Sequence, residues 1–385
     1  MHVAQLIYAH DPDLTEPEAL LDRYTTLTRW SDALVSAGAA RVTVALPFTC
    51  DAVVERGHVS YHFVRPARGW PHALAHGRLH RRLAALNPDL LHLNGLSFPM
   101  EACQLRYTFP RTPIVLQDHA NRPARRPLRR ALQRAGFRAA DGVLFAAAPL
   151  ADPWRAAGLI PRSQPVFAVM ESSTDLTPVP RERARAETAL PGAPALLWVG
   201  RLNANKDPLT VLSGFERALP QLGDAQLTML FHTTELRAEV ERYVQGSGLL
   251  AGRVHLRGRV AHQRIAAFHS AADLFVLGSH HEGSGYALLE AMACGAVPVV
   301  TDIPSFRAMT GGGAVGALWP AGDAGAFAAA LVRCAGPERG IRSDQVRARF
   351  SRHLSWPVVG REAMRIYRAI AAAPRTGRSG AGAVA

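Results

Sequence analysis

Ser279-His280-His281-Glu282-Gly283-Ser284-Gly285-Tyr286-Ala287-Leu288-Leu289-Glu290-Ala291-Met292-Ala293-Cys294-Gly295 is the stretch on which the fold turns. The apolar run Ala272-Asp273-Leu274-Phe275-Val276-Leu277 precedes it, and Ala296-Val297-Pro298-Val299-Val300 follows. Strand, glycine-rich turn, helix and strand in that order make the βαβ unit of a parallel sheet. Tyr286 to Cys294 is a run of good helix formers that Gly295 stops, and Ser284 is placed to cap its start. Gly283 and Gly285 let the backbone approach a ligand closely. A turn of this kind aims free N–H groups and the positive end of the helix dipole outward, which makes an anion site. Glu282 stands just before the turn, and Glu290 lies about two helical turns further on.

A second stretch, Val199-Gly200-Arg201-Leu202-Asn203-Ala204-Asn205-Lys206-Asp207-Pro208, follows the apolar run Ala195-Leu196-Leu197-Trp198-Val199. Lys and Arg together number 44, and Lys206 is the single lysine. Arginine suffices wherever a solvated charge is wanted, whereas lysine points one compact ammonium at one oxygen. A lone lysine at a strand-to-loop junction, close behind Arg201, points to an anion site, most simply a phosphate. The plainer reading is drift towards arginine that spared one lysine by chance. The neighbourhood favours the site, because in open parallel sheets ligands bind at the carboxyl ends of strands.

The chain has 385 residues, enough for two domains of about 150–200 residues. Hydrophobic residues make up 48% and charged ones 19%, the balance of a globular rather than a disordered chain. No apolar run approaches the roughly 18–20 residues that span a bilayer. Met1-His2-Val3-Ala4-Gln5-Leu6-Ile7-Tyr8 reads as a first strand without the basic leader, apolar core or cleavage site of a secretory signal. Cys50, Cys103, Cys294 and Cys334 are far apart and form no Cys-x-x-Cys pair. That argues against a zinc knuckle or a disulfide framework and fits a reducing cytosol. A cytoplasmic location is therefore expected. The formal net charge of +13 favours acidic partners: phosphorylated substrates, nucleic acid or an anionic membrane face.

Short β-runs alternate with helical segments through the first half: Val42–Leu46, Leu90–Leu93, Pro113–Leu116 and Gly142–Phe145, with helices over Leu79–Leu86 and Leu128–Phe137. Between Thr174 and Pro194 four prolines flank a charged helical stretch, Arg181 to Glu187. The alternation then restarts at Ala195–Val199, Gln226–Phe231, Arg253–Leu256, Asp273–Leu277 and Val297–Val300. The expected organisation is a first Rossmann-like domain over 1–175, a linker over 176–194 and a second Rossmann-like domain over 195–355. An amphipathic helix over 356–373 and a disordered tail over 374–385 follow.

The two motifs together resemble the retaining family-4 glycosyltransferases of GT-B fold. The match is a Gly-Arg-Leu-x-x-x-Lys loop followed by Glu-Gly-x-Gly-x-x-x-x-Glu-Ala-Met-Ala-x-Gly-x-x-Pro-Val-Val, and it is close from Val199 to Val300. Phe350-Ser351 and Leu354-Ser355-Trp356, leading into a last helix, are similar too. The first half is looser, with Leu90 to Asn94 and Val115-Leu116-Gln117-Asp118-His119 its best points. The resemblance implies an α/β fold of two Rossmann-like domains facing a central cleft, with the last helix crossing back to the first domain. It implies a hexosyltransferase-type enzyme of polysaccharide biosynthesis. Such an enzyme moves sugar, with retention and without metal, from a nucleotide-sugar donor to a glycan, lipid-linked or small-molecule acceptor. Arg201 and Lys206 would bind the donor diphosphate, Glu282 the sugar hydroxyls and Glu290 the ribose. Backbone N–H groups around Ser284, Gly285 and Tyr286 would hold sugar and distal phosphate, Gly200 and Gly283 would also bind the donor, and Arg257-Gly258-Arg259-Val260 would lie near the base. His119 would line the cleft beside the sugar. One departure is that Tyr8-Ala9-His10-Asp11-Pro12-Asp13-Leu14 has no glycine where the family often has a glycine-rich loop.

Two rival functions remain in view. One is a nucleotide-sugar 2-epimerase or related enzyme on the same plan, which needs no acceptor. The other is a basic peripheral membrane or nucleic-acid-binding protein whose transferase site has lapsed; the intact set Arg201, Lys206, Glu282 and Glu290 speaks against decay. Gly311-Gly312-Gly313-Ala314-Val315-Gly316 fits G-x-G-x-x-G but precedes a strand, so it reads as a loop rather than a dinucleotide site. His72, His76 and His80 share a helical spacing without a Cys or acidic companion and read as a solvated face rather than a metal site. His280 and His281 read as packing beside the donor loop. The basic segment from Arg122 to Arg138 is most simply a solvated helix face. Its sharper reading is a contact with anionic lipid through Arg125, Arg126, Arg129 and Arg130, at the inner face of a membrane. Nucleic acid is not expected, since no aromatic residues interleave the charges.

Overall fold

The computed structural model describes residues 1–9, 11, 13–67, 75–336 and 339–373. The chain forms two compact units. Met1–Leu144, Pro153–Val169 and the segment from Gly360 onward make the first, and Phe145–Asp152 with Met170–Val359 the second.

The first unit holds strands β1 (His2–Ile7), β2 (Arg41–Pro47), β3 (Ala52–Arg56), β4 (Val59–Val64), β5 (Leu90–Asn94), β6 (Ile114–Gln117), β7 (Gly142–Phe145) and β8 (Val166–Ala168). Helices α1 (Pro17–Arg23), α2 (Thr25–Ser36), α3 (Gly77–Ala85), α4 (Pro99–Thr108), α5 (Pro127–Ala139) and α6 (Asp152–Ala156) connect them. The sheet order is β3-β4-β2-β1-β5-β6-β7-β8. β1 pairs parallel with β2 and β5, and β3 pairs antiparallel with β4. Strands such as β2 and β5 are buried almost throughout, which is why they read as continuous apolar runs. The β3–β4 hairpin adds an edge that the apolar runs do not announce. Its turn rests on Gly57, at φ +59°.

The histidines expected on a solvated face are instead buried. His76 and His80 are 1% and 3% exposed, because α3 turns His80 inward together with Leu79 and Leu83. His80 Nε2 lies 2.7 Å from the Tyr8 hydroxyl, and burial lowers the imidazole pKa to about 4. His72 lies outside the described residues, as do His10 and Pro12 of the loop after β1 and the tail over 374–385.

The second unit holds β9 (Ala195–Gly200), β10 (Gln226–Phe231), β11 (Val254–Gly258), β12 (Leu274–Leu277), β13 (Val297–Thr301) and β14 (Ala317–Trp319). Its helices are α7 (Arg181–Thr188), α8 (Pro208–Leu222), α9 (Arg237–Gly246), α10 (Ile265–Ala271), α11 (Tyr286–Cys294), α12 (Pro304–Thr310), α13 (Ala324–Cys334) and α14 (Arg339–His353). The order is β11-β10-β9-β12-β13-β14 and the pairings are parallel. Strand order reverses between β9 and β12. That is the switch point at which open α/β sheets leave a crevice for ligands.

The stretch 176–194 does not stand apart as a linker but belongs to the second unit. Within it α7 buries Ala184, and Arg181 and Arg185 bond the two carboxylate oxygens of Asp273 at 2.5 and 3.0 Å. Asp273 Oδ2 also accepts from the N–H of Ala195 at 2.8 Å, so one carboxylate ties this segment to the start of the sheet. Helix α15 (Trp356–Ala372) begins in the second unit and from Gly360 belongs to the first. There Ala363, Met364, Ile366 and Tyr367 are buried, and the Tyr367 hydroxyl lies 2.7 Å from His92 Nδ1. Gly311, Gly312, Gly313 and Gly316 all have positive φ in the loop from α12 to β14. No helix of the described residues is long and apolar enough to cross a membrane.

Candidate active site

The loops leaving β9 and β12, side by side at the switch point, are sewn together by short polar contacts. Asn205 Nδ2 donates to the carbonyl of His281 at 3.0 Å, and the N–H of His280 donates to the carbonyl of Asn205 at 2.8 Å. His280 Nε2 lies 3.0 Å from Asp207 Oδ2, so that histidine serves the loop, as its sequence context suggested. Asp207 takes a left-handed conformation and caps α8 by accepting from the N–H of Thr210 at 3.2 Å. A side chain at Gly278 would press on this crossing, its Cβ 3.0 Å from the Asp207 carbonyl. Lys206 and Glu282 end up face to face, Nζ paired with Oε1. The single lysine of the chain and the first acid of the glycine motif are thus one ion pair, half-buried on both sides. Arg201 is exposed at the carboxyl end of β9, just past Gly200.

The glycine turn differs in one respect from its sequence reading. Ser284 does not cap α11; Gly285 is the N-cap residue, with φ +64°. Its positive φ and a neighbouring ring make glycine the fitting residue there, since an added Cβ would lie 2.6 Å from Phe306. Ser284 is buried and bonded elsewhere. Its N–H donates to Glu171 Oε1 at 2.8 Å and its hydroxyl donates to the same oxygen at 3.1 Å. The Ser172 hydroxyl lies 2.6 Å from that of Ser284. Glu171 and Ser172 are site-forming residues that sequence reasoning missed. Their signal was a run of small polar residues just after β8, and nothing in it shows which turn they will meet. Gly283 is buried and Tyr286, the first residue of α11, is exposed.

Glu290 lies further along α11, its Oε2 3.6 Å from Nε2 of the fully buried His269. Arg259 and Val260 follow β11, the edge strand two places from β9. Burial raises the Cys294 thiol at the far end of α11 to about 11. The arrangement brings the Lys206–Glu282 ion pair and a glycine-opened helix to one strand edge, with Glu290 further along that helix. Chemically that set can hold a phosphate by charge and a polyol by its hydroxyls.

Residues 193–336 match the family model described as Glycosyl transferases group 1. Among curated proteins, the phosphatidyl-myo-inositol mannosyltransferase of Mycobacterium leprae is 30% identical over 185 residues, 46% of either chain. The GDP-mannose:cellobiosyl-diphosphopolyprenol alpha-mannosyltransferase of Xanthomonas campestris is 31% identical over 139 residues, 36% of this chain and 35% of that one. The matches thus span less than half the length of these relatives. Among solved structures, sucrose-phosphate synthase from Thermosynechococcus elongatus aligns over 96% of this chain and 98% of its own, with a TM-score of 0.69 at 21% identity. That likeness shows the fold, GT-B, with its two Rossmann-like parallel sheets.

The remaining candidates lie in the first unit. His119 follows β6, exposed, with Nε2 3.3 Å from Asn94 Oδ1 at the end of β5. Neighbouring Asp118 is buried and accepts from the N–H of Asn121 at 3.0 Å. In the basic segment Arg125, Arg126 and Arg129 are exposed, and so is Leu128, at 74%. Arg130 is not a free surface charge: it is half-buried and donates to the Ala157 carbonyl at 2.6 Å. The second half of α5 turns inward at Gly136 and Phe137, because Gly136 packs so tightly on Pro99 that an added Cβ would lie 2.8 Å from it.

Proposed function

We propose that this protein is a glycosyltransferase that transfers a sugar from a nucleoside-diphosphate sugar, with retention and without a metal ion. The observation that carries this reading is the pairing of Lys206 with Glu282 beside the turn that opens α11, at the reversal of strand order. Breaking the glycosidic bond of such a donor loads negative charge on the departing diphosphate. Preorganised cations and N–H groups are what stabilise that charge. Each charge-assisted hydrogen bond contributes roughly 1.5–3 kcal/mol. Two cations and a helix N-terminus therefore supply on the order of 5–8 kcal/mol, about four to six decades in rate where the interaction strengthens in the transition state.

In this reading Arg201 and Lys206 hold the diphosphate, Glu282 orients both Lys206 and the sugar hydroxyls, and Glu290 accepts from the ribose. Arg259 and Val260 lie by the base. Leaving phosphate and acceptor meet on one face of the sugar, and the phosphate takes the acceptor's proton. Glu282 is committed to Lys206 and serves as a hydroxyl ligand rather than a covalent nucleophile.

The relatives' names suggest GDP-mannose as the first donor to test and a lipid-linked acceptor. The experiment is a panel of GDP-, UDP-, ADP- and TDP-sugars read by thermal shift and by donor hydrolysis. One nucleotide series should stabilise the protein and be hydrolysed slowly, and no response to any of them contradicts the proposal. The exposed Arg125, Arg126, Arg129 and Leu128 suit an anionic membrane where such an acceptor resides. Charge reversal at the three arginines should abolish flotation with anionic vesicles; absence of flotation by the unaltered protein at moderate salt removes the membrane from the account.

A further inference from the structure

Glu171 occupies an N–H group of the turn to which the donor reading assigns an anion. Its Oε1 accepts from both the N–H and the hydroxyl of Ser284, at 2.8 and 3.1 Å. The carboxylate has no proton to give, so both hydrogen bonds point from Ser284 to Glu171. Ser172 and Ser284 are 0% and 2% exposed, and their hydroxyls are 2.6 Å apart. The contact is therefore fixed by packing and not by a mobile surface side chain. It has the chemistry of a bound oxyanion at a helix N-terminus, except that the oxyanion belongs to the chain.

The charge balance gives this contact a consequence. Lys206 and Arg201 are the cations that the donor reading sets on the diphosphate. Glu282, Glu290 and now Glu171 are three carboxylates placed around the same turn and helix. A diphosphate entering there meets the Glu171 carboxylate, and the N–H of Ser284 is already taken.

We infer that Glu171 is a specificity-determining residue of the proposed donor site. It denies phosphate the Ser284 N–H, leaves phosphate the N–H groups that follow, and weakens the grip on nucleoside diphosphate. A neutral sugar carries no charge for Glu171 to repel, so the residue favours sugar over phosphate at this corner of the turn. It also hastens departure of the diphosphate product, a step that limits many enzymes. The inference rests on the donor reading given above.

The test is calorimetric binding of a nucleoside and of its diphosphate, using the base that the donor panel selects, to the full chain and to Glu171→Gln, Glu171→Ala and Ser172→Ala. Both Glu171 variants should tighten the diphosphate by about three- to tenfold, the scale for removing one like charge at several ångströms in a partly hydrated site. Nucleoside affinity should stay as it was, and product inhibition by the diphosphate should strengthen in step. Ser172→Ala, which leaves the charge, should not alter the ratio of the two affinities. Having two variants guards against one failing to fold, which melting curves reveal. A merely structural role makes Glu171→Ala weaken both ligands alike and leaves Glu171→Gln unchanged; that result overturns the inference and spares the donor site. An unaltered protein that binds diphosphate no better than nucleoside overturns both.

Discussion

The carboxyl edges of the two sheets are built alike and equipped differently. In each, loops from adjacent strands are laced by side-chain amides: Asn121 to Leu96 and Ser97 in the first unit, Asn205 to His281 in the second. The first edge then offers His119 against Asn94 and the Asp118 carboxylate turned to its own loop. The second edge offers opposed charges, Lys206 with Glu282, and a glycine-opened helix whose entrance Glu171 already holds. A diphosphate needs charge and N–H groups that are in place before it arrives. In the proposed reading the second edge takes the donor's charged end.

Substitutions that treat the edges separately put this contrast at risk. Lys206→Ala or Arg201→Ala should lower turnover by roughly two decades or more, with melting behaviour kept. His119→Ala should lower turnover but leave nucleotide affinity intact, since it lies in the first unit. Near-normal turnover in both cation variants, or a loss of nucleotide binding in His119→Ala, would break the division. A smaller effect is expected at Glu290. Glu290→Ala should weaken nucleotide binding by about tenfold, close to 1.4 kcal/mol, and isothermal titration showing unchanged affinity removes it from the ribose.

A separate effect concerns stability and the first unit alone. His80 has a folded pKa of about 4 against an ordinary 6.5. Between those values the unfolded chain binds a proton that the folded chain refuses, so stability is complete above pH 6.5 and is lost as pH falls towards 4. The slope from one such imidazole is at most about 1.4 kcal/mol per pH unit. His80→Asn should flatten the melting temperature between pH 6.5 and 4 relative to the parent. Parallel profiles for the two proteins would show that His80 is not refusing the proton.

Legibility followed the same division. The strands around β9 and β12, the extent of α11 and its stop at Gly295 could be read from periodicity and glycine placement, because a buried parallel strand and a capped helix impose local rules on residue type. Lys206 stood out because a chain otherwise committed to arginine kept it, and the structure sets it beside Glu282. Other features depend on partners distant in sequence. Glu171 meets Ser284 across 113 positions. Asp273 gathers Arg181 and Arg185 into the second unit. His80 is buried because Tyr8 waits for it. No local pattern carries such meetings, so Ser284 was read as a cap, 176–194 as a linker and the histidines as solvated.

The most direct test of the central claim is a crystal structure of the protein with a nucleoside diphosphate bound. The account predicts phosphate oxygens at roughly 2.7–3.2 Å from Lys206 Nζ and the Arg201 guanidinium, with the N–H groups at the start of α11 turned on the distal phosphate and the ribose hydroxyls at Glu290. A diphosphate bound away from the β9 and β12 loops, with the Lys206–Glu282 pair untouched, would contradict it.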